Sequence, residues 1–228
     1  MNFEIRLELS FLNFLLGINL LVFLLILLGF GDSLSFLVLG TYNVFEVGAF
    51  FQLLTFNFVH INLFHFVFNF LALYNIGNMV NTFYGGKVLF TVYVLGGISA
   101  GIFTLLGSLF EYVNIFTVGA SGSIFALLGL ILGGILKKNR FGTDLPINAV
   151  NFISYIFIAI LFGFIPGLNV NNWAHIGGLI AGVLMGLFLN NSISVSTYFG
   201  RLKTNFFFIL SCIIVLLSIS QLILFVLL

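Results

Sequence analysis

The chain has 228 residues, of which 61% are hydrophobic, 18% aromatic and only 6% charged. Soluble domains carry about 25% charged residues, so this composition, with a mean hydropathy of +1.28, excludes a soluble globular protein and predicts an all-α protein of the lipid bilayer. The net charge of +1 excludes the basic field that nucleic acid attracts, and a single cysteine, Cys212, excludes a disulfide framework.

The positions of the charged residues predict the number of membrane spans, because a crossing needs about 20 apolar residues. Seven stretches of the chain meet that condition: residues 9–31, about 63–84, 88–110, 112–136, two within 145–200, and 204–228. The two spans within 145–200 are divided by a polar turn. That turn contains Pro166, Gly167, Asn169, Asn171 and Asn172.

The basic residues predict the orientation of the spans, since Lys and Arg concentrate in cytoplasmic loops. With the N-terminus in the cytoplasm, seven spans place all seven basic residues on the cytoplasmic side. These residues are Arg6, Lys87, Lys137, Lys138, Arg140, Arg201 and Lys203. Asp32, Glu46 and Glu111 then lie outside, and so does the C-terminus. The abundance of Phe, Ile and Asn is typical of an AT-rich bacterial genome, so we expect a bacterial cell membrane.

The first outer loop, about residues 31–59, is the only long connection and is rich in aromatic and aliphatic side chains. We expect it to lie in the membrane interface as an embedded hairpin, with residues 50–60 forming a loop. The sequence contains no linker and no repeat. We therefore treat residues 1–228 as one polytopic domain, with a core over about 9–190 and an additional C-terminal helix over about 205–228.

Polar groups within the predicted spans are the candidates for function, because ionisable residues in a membrane are costly. No Asp, Glu, Lys or Arg falls in a span, which leaves the three histidines, His60, His65 and His175. His65 and Asn69 are four residues apart on the second span and share a face near its outer end. Taken alone, this pair is equally compatible with a hydrogen bond between helices, and His60 with an interfacial role.

Two further spans begin with polar residues at the same depth. Ser121 begins the fourth span within Gly119-Ala120-Ser121-Gly122, and His175 begins the sixth within Asn172-Trp173-Ala174-His175. Both spans also carry small residues along one face, namely Gly122, Ala126, Gly129 and Gly133 on the fourth and Ala174, Gly178, Gly182 and Gly186 on the sixth. Small residues let helices approach closely in lipid. Packing the two faces together predicts a hydrogen bond between Ser121 and His175, the geometry of an activated serine.

This combination of motifs, order and depth resembles the rhomboid intramembrane serine proteases. The residues that carry the resemblance are His65, Asn69, Gly119-Ala120-Ser121-Gly122, Ala174-His175, Gly178 and Gly182. It covers the chain from the first span to the end of the sixth. The seventh span is similar to the six-plus-one form of the family, so the resemblance implies a rhomboid-like bundle of six helices plus one.

The resemblance also implies roles for individual residues. Ser121 and His175 would form a catalytic dyad without an acid, and the Ser121 N–H, His65 and Asn69 would stabilise the oxyanion. Phe125 stands where many members have Tyr and would stack on His175. The remaining supporting positions are Gly119, Gly122, Ala174, Gly178, Gly182 and His60.

The implied activity is cleavage of transmembrane segments of other membrane proteins, with the active site opening outward. The inventory of residues predicts no metal site and no cofactor, because the His-Glu-x-x-His motif is absent and the three histidines have no carboxylate or thiol nearby. The lack of two carboxylates in the spans excludes an aspartyl mechanism. The alternative is an inactive rhomboid-like protein that binds membrane helices, although such proteins typically lose the serine or the histidine.

Two departures from the family pattern qualify the resemblance. Many members have Trp-Arg where this chain has Phe51-Gln52, and often Glu where it has Asn81, so the anchoring of the first outer loop is expected to differ.

Gly97-Ile98-Ser99-Ala100-Gly101 matches the nucleophile elbow of soluble hydrolases, but that motif requires a strand before the serine. We assign Ser99 to helix packing.

Overall fold

The computed structural model describes residues 10–141, 149–162, 170–189 and 198–227, and these ranges are predominantly helical. The longer helices are α1 (Phe11–Leu25), α4 (Leu63–Tyr84), α5 (Gly86–Glu111), α6 (Ser121–Phe141), α7 (Ala149–Phe162), α8 (Asn172–Phe188) and α9 (Tyr198–Leu227). Between α1 and α4 lie two short helices, α2 (Thr41–Glu46) and α3 (Gln52–Thr55). In the described ranges, one helix therefore corresponds to each predicted span. The predicted turn at Pro166, Gly167 and Asn169 lies outside these ranges, as do Arg6 and Asp144.

Several helices have the length and composition of membrane spans. In the described part of the chain, four are long and apolar enough to cross a bilayer, namely Phe11–Phe30, which includes a π-helical extension of α1, Leu63–Tyr84, Gly86–Glu111 and Gly200–Leu227. The shorter segments Ser121–Lys137 and Asn172–Phe188 are also apolar. α5 is mostly buried and contacts α1, α4, α6, α8 and α9, whereas few residues of α9 are buried, as expected of a lipid-facing helix. The protein is an all-α integral membrane protein.

The first span begins and ends at recognisable signals. Ser10 caps α1, its hydroxyl accepting a hydrogen bond from the Asn13 N–H at 3.2 Å. The π-helical turn Ile26–Phe30 contains Gly29 at φ 93°, a left-handed conformation that favours glycine. The chain then turns through a 3-10 helix, Asp32–Leu37, into the first outer segment.

The first outer loop, about residues 31–59 and called the outer segment below, is more ordered than a loop. The residues predicted as a loop over 50–60 contain α3 and a 3-10 turn, Phe56–Phe58. The strand β1 (Leu39–Gly40) pairs antiparallel with β2 (Phe116–Thr117), which ties this segment to the connection that precedes α6. Of the aromatic side chains in this segment, Phe51 and Phe56 are buried, whereas Phe45 and Phe50 are exposed.

Gln52 stabilises this segment from inside. Its side chain is 1% exposed, accepts a hydrogen bond from the Gly40 N–H at 3.0 Å and donates one to the Phe36 carbonyl at 2.8 Å. A buried amide needs such partners, because an unpaired one is costly. The Phe51-Gln52 pair therefore anchors the outer segment with a neutral side chain.

Two lysines mark one end of the bundle. At the start of α5, Lys87 donates a hydrogen bond to the Asn205 side chain of α9 at 3.1 Å. Near the end of α6, Lys137 donates one to the Leu189 carbonyl, just past α8, at 3.3 Å. Each contact joins two chain regions that the sequence analysis assigned to the cytoplasmic side.

The C-terminal helix is attached to the outer segment by one polar side chain. Gln221 of α9 accepts a hydrogen bond from the Phe51 N–H at 2.8 Å and donates one to the Gly48 carbonyl at 2.7 Å. The Phe51 ring also packs against Phe225, with ring centroids 5.2 Å apart. Gln221 thus pairs two backbone groups for which water is not available as a partner in the membrane.

We expect Gln221→Leu to lower the stability of the protein by about 1–3 kcal/mol, because it leaves the Phe51 N–H and the Gly48 carbonyl without these partners. Thermal unfolding in detergent measures the effect. Ser220→Ala is the matched control, since that hydroxyl bonds only the Leu217 carbonyl of its own helix. Equal unfolding temperatures for both variants would contradict the prediction.

Candidate active site

The site is built on the contact between α6 and α8, and the small-residue faces create that contact. A Cβ atom built on Gly178 would overlap the Gly122 carbonyl oxygen, and one on Gly182 would overlap the Ala126 carbonyl oxygen. A Cβ on Gly129 would approach the Gly182 Cα to 3.0 Å. The two backbones therefore touch along the predicted faces, and only glycine fits at these positions.

This contact brings Ser121 and His175 together. Their side chains come from the first turns of α6 and α8, and Ser121 Oγ lies 2.9 Å from His175 Nε2. The His175 ring is 8% exposed, and Phe125 stacks on it with centroids 4.2 Å apart and planes 18° from parallel. His175 Nδ1 is buried without a hydrogen-bond partner among the described residues. The imidazole orientation is thus determined by Ser121 and Phe125.

His65 and Asn69 of α4 lie against the loop that carries the serine. Gly119 has φ 110° and no side chain, and a Cβ there would lie 2.5 Å from His65 Nε2 and 3.6 Å from Asn69 Nδ2. Both polar side chains therefore face the backbone two residues before Ser121. Asn69 is 7% exposed and donates a hydrogen bond to the His65 carbonyl at 3.0 Å.

His60 lies behind His65, outside the spanning helices. Its ring is buried, and its centroid is 5.1 Å from that of His65 in an edge-on arrangement. Burial, together with the nearby His65 ring, lowers the pKa of His60 to about 3, so this imidazole is neutral at physiological pH. The structure places His60 in contact with His65, away from the Ser121–His175 hydrogen bond.

Asn171, which the sequence analysis placed only in a turn, positions the start of α8. Its side-chain oxygen caps the helix by accepting from the Ala174 N–H at 3.2 Å. Its amide nitrogen donates to the Thr104 hydroxyl at 2.8 Å and to the Thr117 hydroxyl at 2.6 Å. An asparagine immediately before an apolar helical segment is an N-cap signal, so this role was readable from the sequence. The two threonine partners were not.

The segment that mimics a nucleophile elbow serves helix packing. Ser99 lies within α5 and donates a hydrogen bond to the Gly177 carbonyl of α8 at 2.9 Å. Nearby, a Cβ on Gly101 would lie 2.9 Å from Leu53, and the Ala100 Cβ lies 2.5 Å from the position of a Cβ on Gly122. The small residues of this segment let α5 approach both α6 and the outer segment.

Comparison with known proteins identifies the family. The family model described as the Rhomboid domain matches residues 47–192, which include His65, Asn69, Ser121 and His175. The chain belongs to the rhomboid family. This result confirms the resemblance drawn from the motifs and the all-α membrane fold that it implies.

Several curated proteins of the family are similar to this chain. Rhomboid protease GluP of Bacillus subtilis is 36% identical over 135 residues, which are 59% of this chain and 25% of that protein. The putative rhomboid protease YdcA of the same organism is 30% identical over 155 residues, 68% of this chain and 72% of the relative. Rhomboid protease GlpG of Haemophilus influenzae is 28% identical over 178 residues, 75% and 86% of the two chains. The chain spans only about a quarter of GluP.

Proposed function

We propose that this rhomboid is an active intramembrane serine endopeptidase. The observation that carries the proposal is the 2.9 Å contact between Ser121 Oγ and His175 Nε2 in a mostly buried site. The names of the relatives, several of them rhomboid proteases, support it. Binding a membrane helix does not require a hydrogen bond between serine and histidine. In this chain that hydrogen bond depends on a close contact between α6 and α8 that only glycine allows.

The proposed reaction follows from the tautomer of His175. For Nε2 to accept the Ser121 proton, the neutral imidazole must carry its own proton on Nδ1. Ser121 Oγ then attacks the scissile carbonyl carbon as Nε2 takes the hydroxyl proton. The C–N bond breaks when Nε2 gives that proton to the departing amine, and water, deprotonated by the same nitrogen, hydrolyses the acyl-enzyme.

The oxyanion formed in this reaction requires hydrogen-bond donors near Ser121. We assign this role to the Ser121 N–H and to the His65 and Asn69 side chains. Their placement against Gly119 supports this assignment. The proposed reaction needs no metal and no cofactor, since serine, imidazole and amide groups supply each step.

Removing one such donor typically reduces the rate by about 10² to 10³, and we expect Asn69→Ala to reduce cleavage by that factor. The measurement is kcat on a model transmembrane substrate in detergent. Asn75→Ala is the matched control, because Asn75 bonds the Leu71 carbonyl in the same pattern on the exposed part of α4. Intact cleavage by the Asn69 variant would return the His65–Asn69 pair to a structural role.

The substrates we propose are transmembrane segments of other proteins, cleaved at the outer side of the membrane. The orientation follows from the basic residues. Reporter fusions after Lys87, Lys137 and Arg201 should be cytoplasmic, and fusions near Glu111 and Leu228 external. A cytoplasmic reporter at the C-terminus would contradict the seventh span and the six-plus-one form of the family.

Covalent capture tests the proposed function directly. Purified protein in detergent should react with a fluorophosphonate or an isocoumarin at Ser121, because these electrophiles trap an activated serine. The modified residue is identified by mass spectrometry. A folded protein that cleaves no model substrate and resists every such probe would leave the helix-binding alternative as the function of this chain.

A further inference from the structure

A buried polar pair lies directly behind the nucleophile and takes no part in the proposed reaction. Ser123, two residues after Ser121, is 0% exposed, and its hydroxyl lies 2.9 Å from Asn57 Oδ1 and 2.8 Å from the Tyr93 carbonyl. A hydroxyl has one proton, so it shares this proton between the two acceptors. Asn57 is 1% exposed and donates to the Leu54 carbonyl at 3.1 Å.

The neighbouring helix α5 leaves space for the side chains of Asn57 and Ser123. A Cβ built on Gly97 of α5 would lie 2.5 Å from Ser123 Oγ and 2.7 Å from Asn57 Nδ2. Gly97 therefore leaves space that these two side chains occupy. The network continues away from the site, since the Tyr93 hydroxyl lies 3.4 Å from the Asn57 carbonyl and accepts from Asn19 Nδ2 at 3.2 Å.

The outer segment thus forms hydrogen bonds with the chain both before and after Ser121. Before Ser121, the Gly119 N–H donates to the Phe56 carbonyl at 2.9 Å. After it, Ser123 bonds the side chain of Asn57, the residue next to Phe56. The first contact involves only backbone atoms. The second depends on the identity of two side chains.

We propose that Asn57 and Ser123 are positioning residues that hold the first turn of α6 and thereby fix Ser121 Oγ against His175 Nε2. Replacing both partners of a buried hydrogen bond by apolar residues is nearly neutral for stability, so stability alone does not require this pair. Rates, by contrast, are sensitive to small displacements of reacting groups. The inference rests on the proposed protease function, and its test includes a readout that is independent of catalysis.

The test compares Ser123→Ala, Asn57→Leu and the double variant with the wild type. We expect each single variant to reduce kcat and the rate of fluorophosphonate labelling by about 10 to 10²-fold, with KM unchanged. The double variant leaves no unpaired polar side chain, so it should recover the unfolding temperature. It should not recover the labelling rate. If a single variant fails to fold, the double variant alone decides the outcome.

Thr91→Val is the matched control. Thr91 is 1% exposed on the same helix as Tyr93, and its hydroxyl has no partner among the described residues. Replacing it with the isosteric valine removes a buried hydroxyl without touching the nucleophile. We expect wild-type labelling.

Four results would overturn or separate the proposals. Wild-type labelling by folded Ser123→Ala would overturn the positioning role, as would full recovery of the rate in the double variant. The ¹⁵N resonance of His175 Nε2 reports its hydrogen bond to Ser121 without any reaction. If the wild type resists labelling and Ser123→Ala still shifts this resonance, the protease function fails and the positioning role stands; an unchanged resonance overturns the positioning role.

Discussion

Ser121→Ala is expected to abolish both covalent capture by serine-directed probes and cleavage of transmembrane substrates. The variant loses the only atom that we propose to bond the scissile carbon, so the covalent route has no nucleophile. The expected activity is below detection, a larger loss than for any single oxyanion donor. Labelling at a fixed probe concentration and gel-based cleavage of a model substrate measure the two outcomes.

His175→Ala separates an activated serine from a merely exposed one. Without the imidazole, Ser121 keeps its hydroxyl but loses the group that we propose to accept its proton at 2.9 Å. Labelling should therefore fall strongly in this variant. Ser99→Ala is the control, because Ser99 bonds the Gly177 carbonyl and lies outside the proposed site. Labelling that survives in Ser121→Ala, or disappears in Ser99→Ala, would reassign the nucleophile.

The sequence predicted those parts of the site that depend on helical periodicity. Residues four apart share a face of a helix, so the glycine faces of α6 and α8 were visible as a pattern, and so was the pair His65 and Asn69. In both cases, the information lies within a single helix and needs only the helix repeat. The stacking of Phe125 on His175 was implied by the family resemblance and not by periodicity.

Contacts that join distant segments by irregular backbone were not predictable in this way. The interaction of Asn57 with Ser123 depends on a 3-10 turn, Phe56–Phe58, which sequence periodicity does not predict. The buried position of Gln52 depends on how β1 returns to β2. Gln221 was hidden for a different reason, since one polar residue in an apolar span does not indicate which backbone groups it will meet.

Family membership and catalytic activity depend on different observations. Membership in the rhomboid family rests on the match over residues 47–192. Whether this member is active depends on distances between side chains, and those distances depend on how closely α6 and α8 approach. The approach is therefore the feature whose disturbance should affect function most, after the nucleophile itself.

Gly178→Val and Gly182→Val are expected to reduce proteolysis by more than about 10²-fold, although neither residue touches the reacting atoms. At both positions even a Cβ would overlap a carbonyl oxygen of α6, so the helices must separate. Separation lengthens the path from Ser121 Oγ to His175 Nε2, and a displacement of about 1 Å is enough for such a loss. Labelling rate and kcat, measured on protein that remains folded in detergent, test this expectation.

Gly17→Val is the matched control for both variants. Gly17 lies within α1, and a Cβ there would meet no atom within 4 Å. The same substitution therefore changes helix propensity by a similar amount without forcing two backbones apart. We expect Gly17→Val to cleave at the wild-type rate. Full activity of Gly178→Val and Gly182→Val would show that Ser121 and His175 do not depend on this helix contact, and the geometry proposed for the dyad would then be wrong.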